Sequence, residues 1–569
     1  MKLSRFLCRF TLIFPTLMVG LSAAQPRSVA ANHPNRDREG QRFLVQPDAQ
    51  PVPAAGKLQI KFATGVAYDS AGIIADSVAV ADLNGQGGMD AVALDYCLAL
   101  GQGACDTPGE LGVLLGNGGG TFRSPVRYST GAYWANSVAV GDVNGDGIAD
   151  LVVANGCQSL GPYLDCTGYG TVSVMLGNGD GTFLPAATYS TGAYNAYEVA
   201  IRDVNGDLMP DLVVANLYQD QSQQTGSATV LLGNGDGTFQ PAVNYSSGGH
   251  EADSLAIGDF NGDGIPDLAV ASYCEQGHNC EPGYIEGQVG VLRGNGDGTF
   301  QPVVTYDSGG AYAHTVAVAD LRGNGVLDLI VANEFDGKGD SNRDAVGVLL
   351  GNGDGTFQPA VTYFSGGSLI DSVAVGDVNG DSIPDLVVVG ECQKIGIRIG
   401  CGGTGTVSVI LGNGDGTFQA PVTYSSGGYE GSAIAIGDVN GDDRPDLVVT
   451  NACGSNDSNC GGSDGTVDVL LNETSYKTKT TLSASPNPAH VNQTVALTAT
   501  ITSTPYAPDR EVVTFFNGKT SLGTGTTKNG MASLTTSFAA AKTYTIKADY
   551  PGDAFRKKSS GTVKLVLSP

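Results

Sequence analysis

The stretch GDVNGDGIADLVVAN, residues 141–155, sets oxygen-bearing side chains at alternate positions of a loop and follows them with an apolar run. Asp142, Asn144 and Asp146 stand at loop positions 1, 3 and 5, and Asp150 stands at position 9. Loops of this kind begin at seven positions: Asp82, Asp142, Asp203, Asp259, Asp320, Asp377 and Asp438. Their spacing of 56 to 61 residues indicates a repeat architecture.

Every repeat presents the same succession of strand signals. In the second repeat, SVAVGD (137–142) leads into the loop and DLVVAN (150–155) follows it. A variable connection then leads to TVSVMLGNGDGTF (171–183) and PAATYSTG (185–192). Period-two alternation with β-branched residues predicts four short strands, and Asn-Gly and Asp-Gly predict a hairpin turn in GNGDGT. Seven such repeats predict an all-β chain with a seven-bladed β-propeller.

The two ends of the repeat region complement each other. The seventh repeat stops at TVDVLLNE (466–473) without its fourth strand. The segment LQIKFATGVAYDSAG (58–72) stands before the first loop and is similar to the missing part. We therefore expect residues 57–473 to form the propeller, with 58–72 completing the last blade and leaving no open edge.

The motifs DVNGDGIADLVVAN (142–155) and LGNGDGTF (176–183) resemble FG-GAP/VCBS repeats, the type also found in integrin α-chain propellers. The resemblance covers about residues 57–472 and implies calcium ligands in the acidic loops. It also implies the class of adhesion receptors and some lectins.

The chain changes character after residue 474. TKTTLSASPNPAHVNQTVALTATITS (477–502) alternates like strands but has no acidic loop. This part resembles bacterial Ig-like domains, so residues 478–569 are predicted to form a β-sandwich.

The N-terminus has the features of an export signal. Lys2, Arg5 and Arg9 precede an apolar stretch from Phe10 to Leu21 and the small residues SAA. We expect a signal peptide at 1–24 and a flexible leader at 25–56. A membrane anchor is the alternative, but Arg9 and Pro15 leave a short apolar run. The expected location is secreted, extracellular or at the cell surface, with the periplasm also open.

The chain of 569 residues has a formal charge of −27, which argues against nucleic acid and anionic membranes as partners and suits cations. We expect a monomer that does not insert into a membrane after signal cleavage. Ten cysteines remain in the mature chain, in close pairs within the variable connections. An even count in an exported chain predicts disulfides, and zinc is the competing interpretation. The pairs are Cys97–Cys105, Cys157–Cys166, Cys274–Cys280, Cys392–Cys401 and Cys453–Cys460.

The acidic loop has the donors that Ca²⁺ requires. This ion takes six to eight oxygen ligands, and positions 1, 3, 5 and 9 offer side-chain oxygens while position 7 offers a backbone carbonyl. Position 12 is Val153 rather than Glu, which excludes an EF-hand. The alternative is an Asp-rich turn without metal, but three carboxylates in nine residues repel one another without a cation.

We therefore predict about five structural Ca²⁺ sites. Their ligands are Asp142, Asn144, Asp146, Ile148 and Asp150; Asp203, Asn205, Asp207, Met209 and Asp211; Asp259, Asn261, Asp263, Ile265 and Asp267; Asp377, Asn379, Asp381, Ile383 and Asp385; and Asp438, Asn440, Asp442, Arg444 and Asp446.

Three loops depart from the pattern. The first has Gln86 at position 5, so its ligands Asp82, Asn84, Gln86 and Asp90 predict a weak site. The fifth has Arg322 at position 3, which offers no acceptor, so no metal is expected there. The third has Leu208 at position 6, where a left-handed turn would cost roughly 1–2 kcal/mol. The GNGDGT turns could form a second metal series, although a plain hairpin explains them better.

The connections that carry the cysteines share one face, called here the stapled face, and the acidic loops share the other. Just before the first strands, residues that vary between repeats would ring the mouth of the central channel. Those that could stack on a sugar or grip a peptide are Trp134, Tyr197, Asp253, Tyr312 and His314. An ordinary solvated rim is the alternative.

Three functions remain open. The first is a non-catalytic, calcium-stabilised binding or adhesion protein with a glycan or protein partner. The second is a polysaccharide lyase or hydrolase, for which His250, Glu251, Asp253 and His314 are the candidate cluster. The third is a structural surface protein.

Overall fold

The computed structural model describes residues 60–97, 100–101, 104–161, 166–220, 225–275, 280, 286–336, 344–392, 404–454, 465–503 and 510–569. The expected signal peptide (1–24) and leader (25–56) lie outside these residues. No helix among the described residues has the length and hydropathy needed to cross a membrane.

The described residues form strands joined by turns, with these bounds. The first two blades and the strand that precedes them are β1 (Val66–Asp69), β2 (Ile73–Ala81), β3 (Asp90–Cys97), β4 (Leu100–Gly101), β5 (Ala104–Cys105), β6 (Glu110–Leu114), β7 (Gly116–Gly118), β8 (Thr121–Phe122), β9 (Val126–Ser129), β10 (Tyr133–Gly141), β11 (Asp150–Cys157), β12 (Thr171–Met175) and β13 (Ala187–Ser190). The next three are β14 (Tyr194–Arg202), β15 (Asp211–Tyr218), β16 (Ser227–Leu231), β17 (Val243–Ser246), β18 (Gly249–Gly258), β19 (Asp267–Glu275), β20 (Glu286–Leu292), β21 (Val304–Ala319), β22 (Asp328–Phe335), β23 (Ala345–Leu349) and β24 (Val361–Phe364). The last two are β25 (Ser368–Gly376), β26 (Asp385–Cys392), β27 (Thr406–Ile410), β28 (Val422–Ser425), β29 (Tyr429–Gly437), β30 (Asp446–Cys453) and β31 (Thr466–Leu470).

The strands assemble into seven antiparallel blades, which confirms the predicted propeller. Blade one has the order β2-β3-β6-β9, and blades two, three and six are consecutive meanders. In blade seven, β29, β30 and β31 are completed by β1, whose Val66 and Asp69 pair with Val469 and Thr466. The chain therefore closes the ring with its first strand.

The first strands of the blades surround the centre of the ring. Each contacts the first strands of its two neighbours, and β29 contacts β2. Seven apolar clusters lie between successive blades, and the one between blades seven and one joins Val448 and Val469 to Ala93 and Phe122. Second and third strands are buried along nearly their whole length because neighbouring blades cover both of their faces.

Blades four and five share one long strand, which the sequence did not indicate. β21 is 16 residues long and serves as the fourth strand of blade four and the first of blade five. The third strand of blade four begins early, and its Glu286 pairs with Ala311 in the connection. Because the connecting backbone keeps a partner, it remains a strand.

The C-terminal domain is the predicted sandwich of two sheets. Its strands are β32 (Thr478–Ser485), β33 (Ala489–His490), β34 (Val495–Ser503), β35 (Val512–Asn517), β36 (Thr520–Thr526), β37 (Met531–Thr536), β38 (Thr543–Tyr550) and β39 (Ser559–Ser568). The sheets have the orders β32-β34-β37 and β33-β39-β38-β35-β36. Leu497, Phe515, Ile546 and Leu565 are fully buried between them.

Candidate functional site

The carboxylate at position 1 organises each acidic loop. In the second loop, Asp142 accepts backbone hydrogen bonds from Gly145, Asp146 and Gly147 at 2.7–3.1 Å. Gly145 and Gly147 have φ of 77° and 82°, so positions 4 and 6 are left-handed. The loop thus curls around a carboxylate, with the carbonyl of Ile148 at position 7 in the same turn.

The carboxylate at position 9 ties the loop to the next hairpin. Asp150 is fully buried, and its two oxygens accept hydrogen bonds from Val143 N (2.9 Å) and Gly177 N (2.8 Å). Burial raises the pKa of this carboxyl in six loops, to about 8 at Asp385 and about 6 at Asp446. A neighbouring cation would offset that cost of desolvation.

Among the described residues, two loops contain buried amide oxygens that no hydrogen-bond donor reaches. They are the side-chain amide oxygens of Asn379 and Asn440 at position 3 of the sixth and seventh loops. In the second loop the equivalent oxygen of Asn144 accepts a hydrogen bond from Asp146 N at 2.9 Å. A buried oxygen without a donor fits a hard cation, and the oxygen-only donor set fits Ca²⁺.

In the fifth loop an arginine holds the closing carboxylate. Arg322 Nη2 lies 2.7 Å from Asp328 Oδ1 and donates to the carbonyl of Gly351 at 2.8 Å. The guanidinium thus supplies the positive charge that a metal would bring, which is the physical reason to expect no metal there. In the seventh loop, Arg444 binds the carboxylate of Asp442 and donates to the carbonyl of Thr474 at 3.1 Å. That ion pair would compete with a cation for one carboxylate oxygen of the seventh loop.

In the first and sixth loops the amide at position 3 donates to the closing carboxylate, and in the sixth Asn379 Nδ2 lies 3.4 Å from Asp385 Oδ1. Asn84 Nδ2 donates to Asp90 Oδ2 at 2.9 Å, so a neutral donor faces the closing carboxylate. The GNGDGT turns close as hairpins: Asn178 N donates to Thr182 O at 2.9 Å, and Thr182 Oγ1 donates to Asp180 at 2.6 Å. These turns need no metal to explain their form.

Two of the predicted disulfides are formed within the described residues, Cys157–Cys166 and Cys274–Cys280. Cys97 and Cys453 are also disulfide-bonded. The side chain of Cys105 and the whole of Cys460 lie outside the description, as do the side chain of Cys392 and the whole of Cys401. His250 lies beside Cys274 and Cys280, but both sulfurs are spent in the disulfide and offer no thiolate to zinc.

A bulge at the rim re-aims one side chain in every first strand. The residues at this position all have φ between 52° and 61°: Ile74, Trp134, Asn195, Glu251, Tyr312, Leu369 and Glu430. The pairing with the second strand skips a residue just after each of them. Bulges of this kind occur at barrel rims and near functional sites. The sequence pattern gave no sign of the left-handed backbone.

One group of side chains from blades four and five, called here the rim cluster, consists of Asp253, Tyr273, Tyr312, His314 and Glu334. His314 Nδ1 lies 3.2 Å from Asp253 Oδ2, and its Nε2 lies 3.7 Å from Glu334 Oε2. The rings of Tyr273 and Tyr312 stack with centroids 4.4 Å apart. The hydroxyl of Tyr273 donates to Glu334 at 3.4 Å. Two carboxylates thus lie beside one imidazole and an aromatic pair.

The structure divides the other predicted site residues between different places. His250 Nδ1 lies 3.8 Å from Glu251 Oε1, which also accepts a 2.6 Å hydrogen bond from Tyr218. The four-residue set of the enzyme hypothesis therefore belongs to two contact groups. Trp134 and Tyr197 lie on β10 and β14, in blades two and three, and are not part of the rim cluster.

Sequence reasoning missed Tyr273 and Glu334. Both stand at the ends of second strands, one residue after the polar position of the VASYC and VANEF runs. Asn333 pairs with Ala313 and Phe335 with Ala311, which places Glu334 level with Tyr312. Counting the antiparallel register from the acidic loop would place both one position off, because the bulge in the first strand shifts the pairing before it reaches them.

Models of known families match most of the repeat region. The FG-GAP-like repeat matches residues 94–153, 163–214, 203–270, 283–331, 336–388 and 399–449, and the FG-GAP repeat matches 134–175. The bacterial Ig-like domain (group 3) matches 482–568.

Curated relatives include integrin α chains. The identity to integrin alpha-V of Gallus gallus is 32% over 152 residues, covering 25% of this chain and 14% of that protein. For integrin alpha pat-2 of Caenorhabditis elegans it is 26% over 235 residues, covering 36% and 19%. The chain thus spans less than a fifth of these two relatives.

Two solved structures share low similarity. An exotype rhamnogalacturonan lyase has a TM-score of 0.38 at 13% identity, over 70% of this chain and 72% of that one. An extracellular domain described as that of a one-component system from B. thetaiotaomicron has a TM-score of 0.36 at 10% identity, over 90% and 58%. These values are too low to transfer an activity.

Proposed function

We propose that this chain, which belongs to the FG-GAP-like repeat family, is a secreted, calcium-stabilised binding or adhesion protein that is not an enzyme. Its propeller would be held by Ca²⁺ in the acidic loops, and its stapled face would bind an extracellular glycan or protein. The observation that carries the binding role is the rim cluster, where variable residues of two blades converge.

The physical support for a binding role is the mix of groups in the rim cluster. A stacked pair of tyrosines offers flat apolar surface, and the carboxylates of Asp253 and Glu334 offer acceptors for hydroxyl or amino groups. The side chains of His314 and Glu334 are 10% and 21% exposed, so solvent reaches the edge of the group. Few side-chain contacts of this kind dominate the affinity of a binding surface.

Two observations support the calcium role. The amide oxygens of Asn379 and Asn440 are buried without a hydrogen-bond donor among the described residues. In the fifth loop, the guanidinium of Arg322 stands where a cation would balance the closing carboxylate. Asp142, Asn144, Asp146, the carbonyl of Ile148 and Asp150 would hold one ion in the second loop, and the third, fourth, sixth and seventh loops would do the same. Bound Ca²⁺ would supply positive charge between carboxylates that otherwise repel one another. The protein's own part is to fix those carboxylates through backbone hydrogen bonds.

Binding of the full chain to glycan and extracellular-protein arrays tests the proposal. Tyr312→Ala and Glu334→Gln should each weaken binding at least about tenfold, which is about 1.4 kcal/mol. Leu184→Ala is the control, since Leu184 is an exposed apolar residue that follows the GNGDGT turn of blade two, away from the stapled face. Equal binding by all three variants would rule out the rim cluster.

A glycan-active enzyme is the second candidate, and the contact between His314 and Asp253 favours it. A buried carboxylate 3.2 Å from an imidazole nitrogen can orient that ring as a general base. Turnover on a broad panel of polysaccharides that disappears in His314→Ala would establish this candidate. Binding without turnover would exclude the enzyme and leave only the binding or adhesion role.

A further inference from the structure

The sixth loop (Asp377–Asp385) differs from the others because the C-terminal domain covers it. A Cβ at Gly380, loop position 4, would lie 2.3 Å from Phe555 Cδ2. At the equivalent glycines of the other loops the space is open or nearly so: Gly85, Gly145, Gly206, Gly262, Gly323 and Gly441 have no atom closer than 3.9 Å to that point. The ring of Phe555 therefore rests directly on the backbone of one loop.

The turn of the Ig-like domain that covers the loop, residues 553–556, is stabilised by contacts of its own, independent of the loop. Asp553 Oδ1 accepts hydrogen bonds from Phe555 N (3.0 Å) and Arg556 N (2.6 Å), and Asp553 Oδ2 lies 2.8 Å from Arg556 Nη1. Arg556 Nη2 then donates to the carbonyl of Gly380 at 3.1 Å. This arginine donates to a backbone carbonyl of the sixth loop, whereas Arg322 in the fifth loop binds the closing carboxylate.

The segment between the domains is tied to both sides. Asn472 Nδ2 donates to the carbonyl of Val378 in the sixth loop at 2.8 Å. Tyr476 N donates to Phe555 O at 2.7 Å, and Lys557 N donates to Tyr476 O at 2.9 Å. The short connection thus holds the covering turn at a fixed distance from the loop.

Under this cover one ligand position points to an ion. Asn379 is only 1% exposed, and its amide oxygen has no hydrogen-bond donor among the described residues. The oxygen atom itself is buried, so bulk water does not reach it. Asp377 meanwhile keeps the three backbone bonds seen in the second loop, at 2.7–3.1 Å. The backbone around Asp377 therefore has the same arrangement as the backbone around Asp142 in the second loop.

Charge favours the same contact. Residues 478–569 contain ten of the 30 Lys and Arg of the chain but only four of the 57 Asp and Glu. The sandwich is therefore positive and the propeller strongly negative, so the two attract each other at low ionic strength.

We propose that the sixth loop is a Ca²⁺ site enclosed between the two domains, so that the ion and the docked Ig-like domain stabilise each other. The inference rests on the proposed calcium role of the loops. By linkage, the docked domain strengthens ion binding by the same factor as the bound ion strengthens docking. The enclosed ion also exchanges more slowly than those in the open loops.

Hydrogen exchange of the full-length mature chain in Ca²⁺ tests the inference in one direction. The double substitution Asp377→Asn with Asp381→Asn should remove one Ca²⁺ and speed exchange in residues 553–557 about tenfold. The matched control is Asp142→Asn with Asp146→Asn, which should remove one Ca²⁺ and leave exchange in 553–557 unchanged. Bound metal is counted by elemental analysis.

Calcium titration tests the reverse direction. Phe555→Ala and, separately, Arg556→Gln should weaken one site about tenfold and leave the rest unchanged. Arg556→Gln keeps the aromatic cover and guards against misfolding of the sandwich. If the sixth-loop and second-loop double variants each lose one Ca²⁺ but hydrogen exchange in residues 553–557 stays at the wild-type rate in both, the inference is wrong and the calcium role stands. If the wild-type chain binds no Ca²⁺, both fail.

Discussion

At the scale of single residues, position 6 of the acidic loop shows how one backbone angle sets the cost of a side chain. Glycine occupies it in four loops, but Leu208, Ser382 and Asp443 adopt the same left-handed conformation with φ of 69°, 66° and 62°. Leu208 is 90% exposed, so packing of its side chain does not offset the strain of its backbone.

Leu208→Gly should therefore stabilise the chain by about 1 kcal/mol at fixed Ca²⁺ concentration. Gly147→Leu is the matched control, because nothing lies within 4 Å of a Cβ there and only the backbone term remains. It should cost a similar amount. Urea unfolding measures both, and a Leu208→Gly chain less stable than wild type would contradict the argument.

Asp95 is a second residue whose position explains its energetics. It is fully buried on β3, and burial raises its pKa to about 7 despite the 2.6 Å hydrogen bond from Ser70 Oγ. In the unfolded chain the carboxyl has its usual pKa of 3.8. The folded state therefore keeps a proton that the unfolded state loses, and stability falls as pH rises from about 4 to 7.

Asp95→Asn should remove this dependence, because Asn occupies the same position in other blades, as at Asn155 and Asn333. The variant should match wild type near pH 4 and exceed it at pH 8 by on the order of 3 kcal/mol. Asn155→Asp should show the opposite trend. If the difference in unfolding free energy between wild type and Asp95→Asn were the same near pH 4 and at pH 8, the raised pKa of Asp95 would be refuted.

At the scale of elements, the segment 60–69, which includes the ring-closing strand β1, contributes more apolar packing than the four residues of β1 alone. Ile60 and Phe62 are buried between blades six and seven, and Tyr68 packs edge-on against Phe122 between blades seven and one. The segment 60–69 therefore fills two of the seven inter-blade clusters.

A chain that starts at residue 58 should be as stable as the mature protein, whereas one that starts at residue 71 should lose on the order of 5 kcal/mol. The loss follows from exposing three large apolar side chains and the edge of β31. Differential scanning calorimetry of the two truncations measures it. Equal melting temperatures would show that β1 does not hold the ring closed.

The elements also show which parts of this structure a sequence predicts. The hairpin at GNGDGT, the acidic loops and the alternating strands follow from local turn chemistry and period, so they were predictable. The continuity of β21 was not, because it depends on Glu286 of another strand finding a partner in Ala311. The rim cluster joins residues more than 60 positions apart, such as Asp253 and Glu334, so only the register of paired strands brings them together.

At the scale of the whole molecule, the two faces of the ring divide the work. One face has carboxylate loops fixed by backbone hydrogen bonds, and the sandwich packs on one of them through Phe555. The stapled face presents the bulged first strands and the rim cluster. We therefore expect metal removal to lower the stability of the propeller and to weaken the packing of the sandwich on it. Substitutions in the rim cluster should change binding and leave the stability unchanged.

The most direct test is thermal unfolding of the mature chain with Ca²⁺ and with chelator, with bound metal counted on the same sample. We expect about five Ca²⁺ per chain and a melting temperature that falls on chelation by on the order of 10 °C or more, because several ions are removed. Arg322→Asn should allow one more ion to bind. A chain with no bound metal and no shift on chelation would contradict the calcium role, although the propeller would stand.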